Sequence, residues 1–145
     1  MAEKEAAQLS YSHRTLFNKP IDIFWVERLP EREDLAEKID AFVSRFARLQ
    51  DHIGEKLVPR FANLLGEQPK SLLDALAYAE RMGWINSAEE FVGIRKLRNL
   101  PVHEYMSSPA LFLDALLSAD HAARILLEII LRLQQQARNL GLAGA

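Results

Sequence analysis

Between Phe91 and Tyr105 the chain reads FVGIRKLRNLPVHEY, and this stretch gathers the side chains best suited to chemistry. Arg95, Lys96 and Arg98 fall close together and are followed at once by Asn99, His103 and Tyr105. An arginine keeps its charge at every physiological pH and grips a phosphate with two parallel N–H bonds. A histidine titrates near neutral pH and moves protons. On an unbroken helix Arg98 and His103 would stand about 140° apart, too far round for one face. Asn99 and His103, by contrast, share a face. Pro101 leaves the carbonyl of Leu97 without its donor and should bend the helix. That bend, or the reach of Arg98, could bring Arg98 and His103 towards one pocket; spacing by itself leaves their convergence open.

Each residue also has a structural reading. An Arg–His pair at a helix kink is commonly a surface or capping feature. Asn99 could bond the backbone opened by Pro101, and Tyr105 could be a half-buried helix-end residue with its hydroxyl in water. Taken together, however, Arg98-Asn99-Leu100-Pro101-Val102-His103-Glu104-Tyr105 closely resembles the signature of the HEPN superfamily in its HepT-like form. That signature is Arg, four residues, His, any residue and Tyr, with a polar residue, often Asn, just after the Arg. The resemblance covers the whole chain in size and helix order, and this stretch alone in motif.

The resemblance implies an all-α, up-and-down, HEPN-like helical bundle that pairs as a homodimer, with both motifs lining one cleft. It implies a ribonuclease toxin that works without a metal or other cofactor, in a toxin–antitoxin pair whose antitoxin is a minimal nucleotidyltransferase. Arg98 would clamp the scissile phosphate of the RNA, His103 would transfer protons as the ribose 2′-hydroxyl attacks, and Asn99 would orient them. Arg95 and Lys96 would add RNA or phosphate contacts. Tyr105 would accept adenylyl groups from the partner, and so silence the toxin. The alternative within the same family is a non-catalytic subunit that binds substrate or nucleotide for a nucleotidyltransferase. A helical oligomerisation module without nucleotide chemistry is a third possibility.

Composition narrows the field further. A chain of 145 residues suits one domain over 1–145, with residues 1–30 an arm or a first helix. With 49% hydrophobic and 26% charged residues it reads as globular rather than disordered. A net charge of -2 argues against a surface coated for bulk nucleic-acid binding, so any such role needs a local basic patch. Without cysteine there is no disulfide, thiolate metal site or cysteine nucleophile. The charged N-terminus does not read as a secretory signal and no run is long enough to span a bilayer, so a cytoplasmic location is expected. His13, His52 and His121 lack a second ligand at metal-binding spacing, apart from acidic neighbours such as Asp51 and Asp120, and are expected to be structural or solvent-facing. Trp25 and Trp84 are expected in the core or at a dimer contact rather than as base-stacking platforms, because neither sits among basic residues.

The elements that must position the motif follow from periodicity. Residues 2–18 carry a weak apolar stripe through Ala6, Leu9, His13, Leu16 and Phe17. The run Ile21–Val26 fits a helix or an extended segment. From Pro30, with Glu31, Glu33 and Asp34 in its first turn, a long amphipathic helix runs through Leu35, Ile39, Phe42, Phe46, Leu49 and Ile53. Pro59 should kink or break it. Pro69-Lys70-Ser71 opens a helix that stops at Gly83, and Ser87 with Glu90 forms a capping box at the head of the motif helix. Ser108-Pro109 starts a final helix in the same manner. Its stripe, from Phe112 to Ala137, is widened by Leu113, Leu117, Leu127 and Leu131, as for a helix central in a bundle or shared with a partner.

Overall fold

The computed structural model describes residues 2–99, Asn99 as backbone only, and 107–141; among these there is no strand. Helix α1 spans Ala2–Leu16, and a short α2 follows over Ile23–Glu27. Helix α3 covers Glu33–His52, runs through a π turn at Ile53–Leu57, and resumes as α4 over Val58–Leu64. Helix α5 is Leu72–Arg81, α6 is Ala88–Arg95 with a 3-10 turn at Lys96–Asn99, and α7 is Pro109–Asn139.

Contacts between side chains fix the directions. His52 on α3 meets Glu5 on α1, while Phe42 lies beside Phe17, so α1 and α3 are antiparallel. Arg45 ties the same two helices midway, donating to the Gln8 carbonyl and the Ser12 hydroxyl. His13 bonds Asp120 at 2.6 Å, which fastens α1 to α7. Both histidines are thus straps between helices, in keeping with a structural role. With α1 and α3 antiparallel and α7 fastened to α1, the chain is a helical bundle.

The core is contiguous and follows the periodic positions. Ile39, Phe42, Phe46, Leu49 and Ile53 are fully buried from α3, and Phe112, Leu116, Ala119, Ala123 and Leu126 from α7. The widening leucines of α7 differ from the stripe: Leu117 and Leu131 are exposed, and Leu113 and Leu127 only half-buried. Trp84 and Ile85 fill the turn after Gly83, whose φ of +78° is the left-handed value glycine adopts without strain. Phe61 and Tyr78 meet the Trp84 ring edge-on.

Several boundaries depart from the periodic reading. Pro30 sits in a 3-10 turn at Leu29–Glu31, and α3 begins only at Glu33, because the Arg32 backbone, at φ -126° and ψ 76°, is not helical. The open segment at Ile21–Val26 resolves into α2, capped by Asp22, which accepts from the Trp25 N–H at 2.9 Å. With Ile21, Val26 and Leu29 buried, residues 17–32 belong to the body of the bundle. Ser71 and Ser87 cap α5 and α6 through their hydroxyls as expected. Ser108 makes no such side-chain bond, and Pro109 alone marks the start of α7.

Burial separates two phenylalanines sharply. Phe46→Ala should lower the unfolding free energy by about 3–5 kcal/mol. Phe24→Ala, at a ring 66% exposed, should change it by less than about 0.5 kcal/mol. Urea unfolding followed by circular dichroism measures both.

Candidate functional site

The motif segment leaves α6 as a 3-10 turn, Lys96–Asn99. Pro101 supplies no N–H for the carbonyl of Leu97, and a 3-10 turn, closing its bonds over three residues instead of four, does not require it. Residues three apart stack on one side of such a turn, so Arg95 and Arg98 address the same neighbour. That neighbour is Asp51 on α3. Arg98 donates from Nη2 to Asp51 Oδ2 at 2.6 Å, and Arg95 Nη1 lies 4.0 Å from Asp51 Oδ1.

Arg95 is also tied from below and beside. Its Nη2 donates to Glu55 Oε1 at 3.3 Å. With the Gln50 amide turned so that its oxygen faces the guanidinium, that oxygen accepts from Arg95 Nη1 at 2.9 Å. Gln50 is completely buried, so its amide requires such a partner. Arg95 therefore ties α6 to α3 and the π turn. Lys96 is exposed, and Arg98 is exposed over about a third of its side chain, 38%.

Gly54 is what lets these helices meet. A Cβ there would lie 3.0 Å from Arg95 Nη1 and 3.1 Å from the Phe91 ring. The π turn presents this glycine and is bonded accordingly, with the Val58 N–H reaching the Ile53 carbonyl five residues back. The expected kink at Pro59 takes this form: Pro59 occupies the second position of α4, where its missing donor costs least.

Two carboxylates thus stand against Arg95 and Arg98, and the basic patch expected around them is locally balanced, with Lys96 in excess. Asp51, Gln50, Gly54 and Glu55 were not legible as partners, since nothing local links them to a segment some forty residues on. A glycine and a proline late in an otherwise regular helix were the available signal. Of the expected site residues, Arg98 and Arg95 come together. His103 and Tyr105, with the bend at Pro101, lie outside the described residues, as does the side chain of Asn99.

Away from the motif, the two tryptophans differ. Trp84 is core, as expected. Trp25 is half-buried and lines a cavity of about 580 Å³ together with Lys19, Arg28, Arg32 and Lys38, so it does stand among basic residues. Arg32 forks onto Asp34 at 2.9 and 3.1 Å, and that hydrogen bond holds the Asp34 carboxyl below the usual carboxylate range. Among the described residues no cluster of His, Asp and Glu could hold a metal ion, and no helix is long and apolar enough to cross a membrane. No protein-family model, curated protein or solved structure matches the chain.

Two glycines of this region should respond oppositely to alanine. Gly54→Ala gains helix propensity of about 1 kcal/mol but presses on a buried ring and a tied guanidinium, for a net loss of about 1 kcal/mol. Gly93→Ala, with open space around its Cβ on α6, should stabilise by about 0.5–1 kcal/mol. Thermal unfolding of the two variants beside the parent decides this. Equal and positive shifts would remove the close approach at Gly54 as a constraint.

Proposed function

We propose that this chain is a HepT-like HEPN ribonuclease, the toxin of a pair whose antitoxin is a minimal nucleotidyltransferase. The observation that carries the reading is the sequence pattern Arg98-x4-His103-x-Tyr105, whose Arg98 lies in the turn that follows α6 with its side chain reaching solvent. A guanidinium has five N–H donors in a fixed fork. Asp51 holds its Nη2 corner and so orients the fork, while the outward part of the side chain reaches solvent. A phosphate there would receive two parallel N–H bonds.

The chemistry needs no metal. The ribose 2′-oxygen attacks the adjacent phosphorus as its proton leaves to the base, the bond from phosphorus to the 5′-oxygen breaks, and that oxygen takes up a proton. His103 serves the proton transfers, Arg98 stabilises the charge gathering on the phosphoryl oxygens, and Asn99 orients the group. In a homodimer the two motifs would share one cleft, and adenylylation of Tyr105 would close it. Exposed Leu117 and Leu131 on α7 are the kind of surface a second subunit would cover.

A second reading draws on the same ion pair. Asp51 neutralises Arg98 at 2.6 Å, as suits a non-catalytic subunit that presents substrate to a nucleotidyltransferase. Expression of the chain alone separates the two. The ribonuclease reading expects growth arrest with loss of cellular RNA, abolished by either Arg98→Ala or His103→Ala while the helical circular dichroism signal is kept. It further expects a cognate nucleotidyltransferase to rescue growth for the parent but not for Tyr105→Phe. Intact RNA and unimpaired growth with well-folded protein would leave the binding subunit.

A further inference from the structure

At the opposite end of α3 from Asp51, the link from α1 through α2 walls the cavity that contains Trp25. Its volume of about 580 Å³ is in the range of ligand sites. Four cations line it against two carboxylates, in a protein whose net charge is negative. Both carboxylates are engaged: Asp22 caps α2 and Asp34 holds Arg32. Among the described residues none of the remaining cations, Lys19, Arg28 and Lys38, makes an ion pair with a carboxylate. Two aromatic rings line the same cavity, Trp25 half-buried with part of it packed against the core and Phe24 exposed.

We propose that this groove is a second contact site for single-stranded RNA, with bases stacked on Trp25 and Phe24 and phosphates held by Lys19, Arg28 and Lys38. Cations tracking a backbone beside exposed rings are the recognition chemistry of single strands, because every base offers a π face whatever its sequence. An acidic polypeptide would use the cations but leave the rings without partners. The site lies about 25 Å from Asp51, from the seventeen helical steps of α3 that lead from Asp34 to Asp51. It therefore holds the strand without taking part in its cleavage. The inference rests on the reading of this chain as an RNA-binding protein, but not on its being active.

Binding of a short 2′-deoxy oligonucleotide, which lacks the attacking hydroxyl, tests the groove apart from catalysis. Anisotropy of a labelled strand should show saturable binding by the parent. Three phosphate contacts predict a slope of about -2 in log affinity against log salt. The double variant Arg28→Ala/Lys38→Ala should bind at least tenfold more weakly, with a slope of about -0.7. Trp25→Leu should weaken binding about tenfold and abolish the quenching of tryptophan emission by the strand, since Trp84 is buried. Phe24→Ala, at an exposed ring, provides a stacking variant with little risk to folding. The proposal falls if the parent binds no strand, if the double variant binds as the parent does, or if neither ring variant matters. It falls equally if polyglutamate or polyphosphate displaces the strand at matched charge as well as unlabelled strand does. Binding through the groove by a protein that cuts no RNA would uphold this site and reject the ribonuclease. Cleavage with an inert groove would do the reverse.

Discussion

The approach of α6 to the π turn at Gly54 is the constraint on which the candidate site depends. Any larger residue there would strike the Phe91 ring and the Arg95 guanidinium, both within about one atomic contact of the glycine. With the gap closed, Phe91 is buried and Arg95 reaches Gln50, Asp51 and Glu55 together. The π turn is the means: one residue more in the ring re-aims the side chains of α3 before α4 resumes at Val58. Two departures from α geometry, the π turn on one side and the 3-10 turn on the other, thus face each other across the arginines.

The same cluster divides labour between two arginines three residues apart. Arg95 is four-fifths buried, with the buried Gln50 amide and the exposed Glu55 carboxylate as acceptors and Asp51 at ion-pair distance, and removing Arg95 would leave the Gln50 amide unsatisfied in the interior. Arg98 is bound more lightly. Its pair with Asp51 is partly open to water, where such pairs contribute about 1 kcal/mol or less. A doubly bonded phosphate can compete on those terms for Arg98 but not for Arg95. The first arginine therefore builds the surface on which the second is displayed.

Much of the fold was legible because burial follows period. The stripes through Ile39, Phe42, Phe46 and Leu49, and through Phe112, Leu116, Ala123 and Leu126, are core residue for residue. Ser71 and Ser87 announced their helices because a cap is a local device. What could not be read locally was long-range: that Asp51 and Glu55 stand opposite Arg95 and Arg98, or that Pro59 is absorbed by a π turn and not by a break. Charge at the arginines was misjudged for the same reason, since a basic run in sequence says nothing about the carboxylates a distant helix brings to it. Trp25 packs against the core as expected, while its basic surroundings include Lys38, which joins it only through the fold.

The link between α1 and α3 explains why cations gather at that end of the bundle. It must turn the chain while burying Ile21, Val26 and Leu29, which leaves its polar residues only the outer side. Two carboxylates that line the cavity are held in local bonds: Asp22 accepts from a backbone N–H and Asp34 accepts from Arg32. Lysines and arginines accept no such bonds, having donors alone. Lys19, Arg28 and Lys38 are therefore left facing the cavity with their charge uncompensated by these carboxylates, although the chain as a whole is acidic. At Asp51 the opposite holds, since long helices bring carboxylates to the arginines side by side. Helix α3 thus carries a balanced cluster at its C-terminal end, whereas near its start Lys38 and the link's Lys19 and Arg28 line the cavity without a carboxylate partner, and an anion meets less competition there.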